Sequence, residues 1–153
     1  MASAVGTDKF LSNYSLQIWD CDTQAAAQIC SPDNGTTLRY VDLRDYDHFV
    51  AAVAATVFGG SGPVLLEIVA SDTITFSNVV QIKTSGAIVL NALTEWYCLE
   101  CSAEEVAHLA TTYDLRYVAA RITCNNAGDE AVVVYIAHAC RPHDAVTANS
   151  NLL

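Results

Sequence analysis

YVDLRDYDHFVAAVAATVF, Tyr40 to Phe58, is where a choice between strand and helix settles the fold. Its polar opening, Asp42 to Asp47, suits a turn. Phe49 to Val57 then runs without a charge, and Gly59-Gly60-Ser61-Gly62-Pro63 stops it. The alanines favour helix. Phe49, Ala51, Val53, Ala55 and Val57 instead give one face alternating large and small, and the apolar run Val64 to Val69 follows at once. Two such runs joined by a short Gly-containing loop read as a β-hairpin. The stretch is therefore assigned as strand.

Outward from it, the chain reads as seven or eight short strands separated by turn signals. Thr73 to Lys83 alternates imperfectly through Ile74, Phe76, Val79, Val80 and Ile82, with a bulge or turn at Ser77-Asn78, and Thr84-Ser85-Gly86 breaks the run. Ala87 to Leu90 and Trp96 to Leu99 are further short strands. Ser102 and Glu105 make a capping-box pattern, which predicts a helix over Ala103 to Thr111 with Val106, Leu109 and Ala110 on one side. Leu115 to Cys124 is a strand. Asn125 to Asp129 has hairpin-loop chemistry, and Ala131 to Ala139 returns. The expected class is all-β: an antiparallel β-sandwich, jelly-roll-like, with one short helix and irregular terminal arms. The arms are 1–36, where a short strand at Tyr14 to Trp19 fits, and the tail 142–153. The sandwich domain spans 37–141.

Composition bounds the function. Hydrophobic residues make up 52% and charged residues 16%, where about 25% charged is usual. Such a chain has trouble covering its own surface, which points to self-association or docking on a larger assembly. Seven Lys and Arg stand against 17 Asp and Glu, a net charge of −10. That balance opposes binding to nucleic acid and to anionic membranes. The N-terminal stretch lacks a basic start and an apolar core, and no apolar run approaches ~20 residues, so no secretory signal and no membrane helix are expected. The expectation is a protein made in a cytoplasm, with its six cysteines as free thiols.

Catalytic signatures are weak. Cys98-Leu99-Glu100-Cys101 is half a zinc site. Its strand setting puts the two sulfurs on opposite faces, and no βαβ context supports a redox pair. His48, His108, His138 and His143 are scattered. Asp42, Asp45 and Asp47 space like part of a calcium loop but lack its Gly and distal Glu. Asn34-Gly35-Thr36 matches a glycosylation acceptor, which has meaning only on a secretory route. Trp19, Trp96 and the tyrosines could stack on sugars or be buried. No cofactor, no metal and no enzymatic activity are expected.

Four segments carry a resemblance. They are Val-Asp-Leu-x-Asp-Tyr-Asp-x-Phe-Val-Ala-Ala-Val (Val41 to Val53), Leu66 to Asp72, Tyr97 to Val106, and Leu115 to Thr123 with the apolar strand after it. In this order they resemble small structural proteins of tailed bacteriophages. The resemblance implies a virion component, foremost a capsid decoration (cement) protein that binds the major capsid protein on the capsid exterior as a homotrimer. Neck or tail connector and tail-completion roles, and a carbohydrate-binding sandwich at the host surface, are alternatives. The segments without a core role, around Phe10, Leu11 and Tyr14 and after Pro142, are the expected partner contacts.

Overall fold

In the computed structural model, residues 14–21, 28–29, 38–57, 64–88, 96–110, 112–123 and 130–139 are described. They form nine strands and one helix: β1 Tyr14–Cys21, β2 Gln28–Ile29, β3 Val41–Asp42, β4 His48–Val57, β5 Val64–Ser71, β6 Val80–Ile88, β7 Trp96–Ser102, α1 Ala103–Leu109, β8 Tyr117–Thr123 and β9 Glu130–His138. One sheet has the order β1-β9-β4-β7 and the other β2-β8-β5-β6, with β3 also on β8. All pairings are antiparallel.

β2 pairs with Arg121 and Ile122, and β3 with Tyr117 and Val118, so they are two pieces of one edge strand. Counting them as one, eight strands make two four-stranded sheets, and the chain changes sheet at every step except β5 to β6. This is the jelly-roll order of an all-β sandwich.

Both hairpins expected from the sequence are instead sheet crossings. β4 pairs with β7 and β9, and β5 pairs with β6 and β8. The Gly59 to Pro63 connection therefore joins two different sheets, and so does the stretch between β8 and β9. A Gly-rich connector serves either geometry. The pairings decide: β4 and β5 are each hydrogen-bonded on both edges to other strands, so neither has an edge left for the other.

The real hairpin is β5–β6, and here too the sequence reading is corrected. Residues 72–79 form a turn, not the start of a strand. Side-chain oxygens take backbone donors that a ladder would use: Thr73 N–H donates to Ser71 Oγ (3.2 Å) and Ser77 N–H to Thr73 Oγ1 (3.3 Å), while the Asn78 side-chain amide donates to Asp72 Oδ1 (3.2 Å). Ile74 and Val79 are consequently exposed. Phe76 holds a φ of +50° with its ring buried. Further on, Thr84-Ser85-Gly86 bends β6 without ending it. The register against β5 shifts there, Leu66 N–H donates to Ser85 Oγ (3.0 Å), and Gly86 takes a φ of +64° that favours glycine.

The stretch 1–36, expected to be irregular, contributes strands to both sheets. β1 runs eight residues against β9, Tyr14 opposite His138 to Cys21 opposite Ala131. Its partner lies more than a hundred residues away, and a short alternation in polar surroundings does not announce it. Phe10, Leu11 and the tail 142–153 lie outside the described residues.

The core is the space between the sheets. Phe49, Ala51 and Val53 of β4 and Val133, Tyr135 and Ala137 of β9 face Leu66, Ile68 and Ala70 of β5 and Val118, Ala120 and Ile122 of β8, all but solvent-free. Phe49 meets Tyr135 edge to face at 4.7 Å. The Tyr135 hydroxyl accepts the Ala120 backbone N–H, a polar tie from one sheet to the other. α1 closes one end. Ser102 Oγ accepts the Glu105 N–H (3.1 Å), Glu105 Oε2 accepts the Ser102 N–H (2.9 Å), and Val106 is buried. The helix stops at Leu109, two residues before the expected end, and Leu109 is exposed, not on the buried side.

Candidate functional site

The site is the outer face of the β1-β9-β4-β7 sheet, and register assembles it. Inward positions of β4 alternate with outward ones, so His48, Val50, Ala52 and Ala54 point away from the core. Cross-strand neighbours extend each row. Ala54 lies between Trp96 and Val132, Ala52 between Cys98 and Val134, Val50 between Glu100 and Ile136, and His48 between Ser102 and His138. Leu16 continues the Val50 row beyond Ile136. Trp96 is 53% exposed, Leu16 50% and Ile136 39%. Ala52 and Ala54 lie low between taller neighbours. The His48 and His138 rings stack at 6.3 Å with planes 25° apart. Glu100 stands on this face, and Asp20 of β1 holds the register position beyond Val132 in the Trp96 row. Exposed large apolar side chains grouped on one sheet face in this way suit an interaction surface.

The other sheet presents the opposite case. On its outer face Val69, Ser71 and Ala119 are fully buried. Glu67, also buried, holds Arg121 through two hydrogen bonds of 2.6 and 3.0 Å. Tyr40 packs on Tyr117 (5.3 Å) and Phe76 (6.3 Å). Arg116 stacks over Tyr117 at 4.5 Å and reaches Asp42 at 2.7 Å.

The remaining residues weighed from the sequence fall apart as a chemical set. Cys98 is exposed on the outer face and Cys101 buried on the inner one, both as free thiols. Burial first, then the nearby Glu105 carboxylate, pushes the Cys101 thiol up to about 12, so it stays protonated and unreactive at neutral pH. Asp42 belongs to an ion-pair cluster with Arg44 (2.8 Å) and Arg116. Among the described residues no three His, Cys, Asp or Glu side chains converge as a metal site. His48 and His138, far apart in sequence, are brought together; His108 lies on α1 and His143 outside the described residues. Tyr14 opens β1 opposite His138, at the edge of the bare face. Trp19 lies in β1 in register with Val133.

An open groove of about 390 Å³ lies between β6 and α1, lined by Ile82, Lys83, Ser102, Glu105 and His108 among others. Three of its polar groups engage one another. Lys83 pairs with Glu105 at 2.8 Å, and the Ser102 hydroxyl caps the helix. Lys83 and the Ser102 cap hold the Glu105 carboxyl below its usual range.

No protein-family model matches this chain, and no curated protein matches it by sequence. In structure it is similar to the Yersinia pseudotuberculosis-derived mitogen, with a TM-score of 0.35 and 13% identity over 90% of this chain and 92% of the other. A likeness at that score carries no inference. The class these observations define is a jelly-roll β-sandwich with exposed apolar side chains, Leu16, Trp96 and Ile136, on the outer face of one sheet. No helix among the described residues is long and apolar enough to cross a membrane.

The face itself escaped the sequence reading, which placed contacts on the terminal segments. The signal was present in β4 and β9, whose two phases are both apolar. Only one phase is needed for the core.

Proposed function

We propose that this chain is a non-enzymatic structural protein of a tailed-phage particle, a capsid decoration protein that holds the major capsid protein from the outside of the shell as a homo-oligomer. The observation that carries this reading is the exposure of Leu16, Trp96 and Ile136 on the outer face of the β1-β9-β4-β7 sheet. A free monomer gains nothing from Trp96, Leu16 and Ile136 standing in water, whereas a protein that works by docking needs such area. The low charge content, the net charge of −10 and the resemblance of the segments between Val41 and Thr123 support the same reading. Many copies, each with a modest contact, would hold a shell by avidity. Synthesis in the host cytoplasm and a final place on the virion exterior belong to this proposal.

The test is cosedimentation of submicromolar chain with expanded shells, together with gel densitometry of whole particles. Binding and a high copy number support decoration. A low copy number moves the chain to the neck or tail, and no binding removes the proposal. A second reading draws on the exposure of Trp96: an indole on a flat sheet face can stack on a sugar ring. A glycan array probed with wild type and Trp96→Ala separates the two, because only the sugar reading predicts hits that the variant loses.

A further inference from the structure

Two imidazoles that lie far apart in sequence share one row of the outer face of the β1-β9-β4-β7 sheet. His48 opens β4 and His138 closes β9, and the register sets them directly opposite each other. Facing residues on antiparallel strands have Cβ atoms ~4.5–5.5 Å apart, so both side chains leave the sheet side by side. Their ring centres are 6.3 Å apart. The backbone beneath them is tied in two directions. Asp47 N–H donates to the His138 carbonyl (2.9 Å), and the Asp47 carbonyl accepts the Ala103 N–H at the start of α1 (2.8 Å). Ligands carried on paired strands are held more firmly than ligands carried on loops.

We propose that His48 and His138 together hold one divalent transition-metal ion on this face, of the zinc, copper or nickel kind. Imidazole nitrogen suits these ions, whereas calcium and magnesium take oxygen donors. Tetrahedral zinc with Zn–N bonds of ~2.0–2.1 Å places two imidazole ring centres about 5 Å apart. The observed 6.3 Å is roughly 1 Å wider. Rotation of the His48 side chain, which is exposed, closes that gap and turns its nitrogen towards the ion. Each imidazole has two nitrogens, so one takes the ion while the other keeps a hydrogen bond, the common arrangement around a metal.

Charge favours a cation here. Glu100 lies on the same face, on β7, diagonal to His48 at ~7–8 Å. The chain as a whole carries −10, which draws cations to its surface. Among the described residues no third His, Cys, Asp or Glu converges with the pair. Two positions of a tetrahedral ion are therefore left for water or for a donor from outside. Binding by two ligands is reversible, weaker than that of a four-ligand structural site. It needs no shell and is independent of the decoration role.

Zinc chloride titrated into the full chain at pH 7.5, from about 1 µM to about 1 mM, tests it by calorimetry and by the imidazole C–H resonances in proton NMR. The expected result is saturable binding in which the His48 and His138 resonances move together. His48→Gln and His138→Gln should each weaken binding at least roughly tenfold, because either change removes the second, intramolecular contact. His108→Gln, on α1, and Cys98→Ser, an exposed thiol of the same face, should leave it unchanged. Circular dichroism checks folding, and His48→Gln carries the test if His138→Gln does not fold. No binding by about 1 mM zinc, unchanged binding in His48→Gln, or equal loss in His108→Gln or Cys98→Ser overturns the site. Shell binding is scored on metal-free protein, so a chain that binds zinc yet ignores shells loses the decoration role alone, and one that binds shells yet ignores zinc loses this inference alone.

Discussion

Two outer faces, one on β4–β9 and one on β5–β8, cover the same core and have opposite fates. Over β5–β8, Val69, Ser71 and Ala119 are sealed, and Glu67 is locked to Arg121. Over β4–β9, Ile136 and Trp96 stand at the surface between half-buried valines, with stacked histidines at one end. The inner faces do not differ in this way, since both are solvent-free. Apolar content alone therefore does not tell core from contact surface. Among the described residues, the chain builds over one sheet with Tyr40, Phe76 and Tyr117, whereas Leu16, Trp96 and Ile136 of the other stay exposed.

The contrast can be broken most sharply with thiol chemistry. Iodoacetamide at pH 8, read by peptide mass mapping, should modify Cys98 at least roughly a hundredfold faster than Cys101, since burial keeps the latter a thiol. Equal rates would mean that β7 does not present alternate faces to core and solvent.

Next in size is the covered face. Glu67→Ala leaves Arg121 without its partner, and because that side chain keeps 27% exposure the loss is about 2 kcal/mol, below that of a fully buried pair. Thermal melting should show a fall of roughly 4–8 °C. Replacing Glu67 and Arg121 together by leucine should recover most of it. If the single variant melts like wild type, the ion pair is solvated and the face is not sealed.

A smaller effect belongs to the Lys83–Glu105–Ser102 staple between β6 and α1. Glu105 has its carboxyl held low, so its contribution is full above the ordinary carboxyl value of 4.5 and is lost as the pH falls through its lower folded value. The group is nearly half exposed, so screening limits the effect to a few tenths of a kcal/mol. Glu105→Gln should melt slightly below wild type at pH 7 and converge with it at pH 3. A gap that widens on acidification would contradict the assignment.

Smallest of all should be the stability change at the bare face. Val134→Lys lies outside the core, and chemical denaturation of dilute protein should move by no more than about 0.5 kcal/mol. A large loss would mean that something in the chain itself covers this surface.

Much of the fold was legible from local chemistry. The capping box at Ser102 and Glu105 placed α1 because both partners lie within one turn. The alternation around Phe49 and Val118 placed β4 and β8 because a strand's side-chain period is written in adjacent residues. The bent passage of β6 through Gly86 was misread because it depends on a hydrogen bond across the hairpin, Leu66 N–H to Ser85 Oγ, and the polar turn before Val80 was misread because Ile74, Phe76 and Val79 imitate a strand's alternation.

The amino-acid sequence by itself determined the all-β class, the short helix, the separation of Cys98 from Cys101 onto opposite faces, and a surface short of charge. Tertiary structure alone decided which strands share a sheet, that both Gly-containing connectors cross between sheets, that Tyr14–Cys21 lines β9, and that His48 stacks on His138. The reason is range. Strand period, capping and turn chemistry act over a few residues, whereas pairing order joins strands as far apart as β1 and β9.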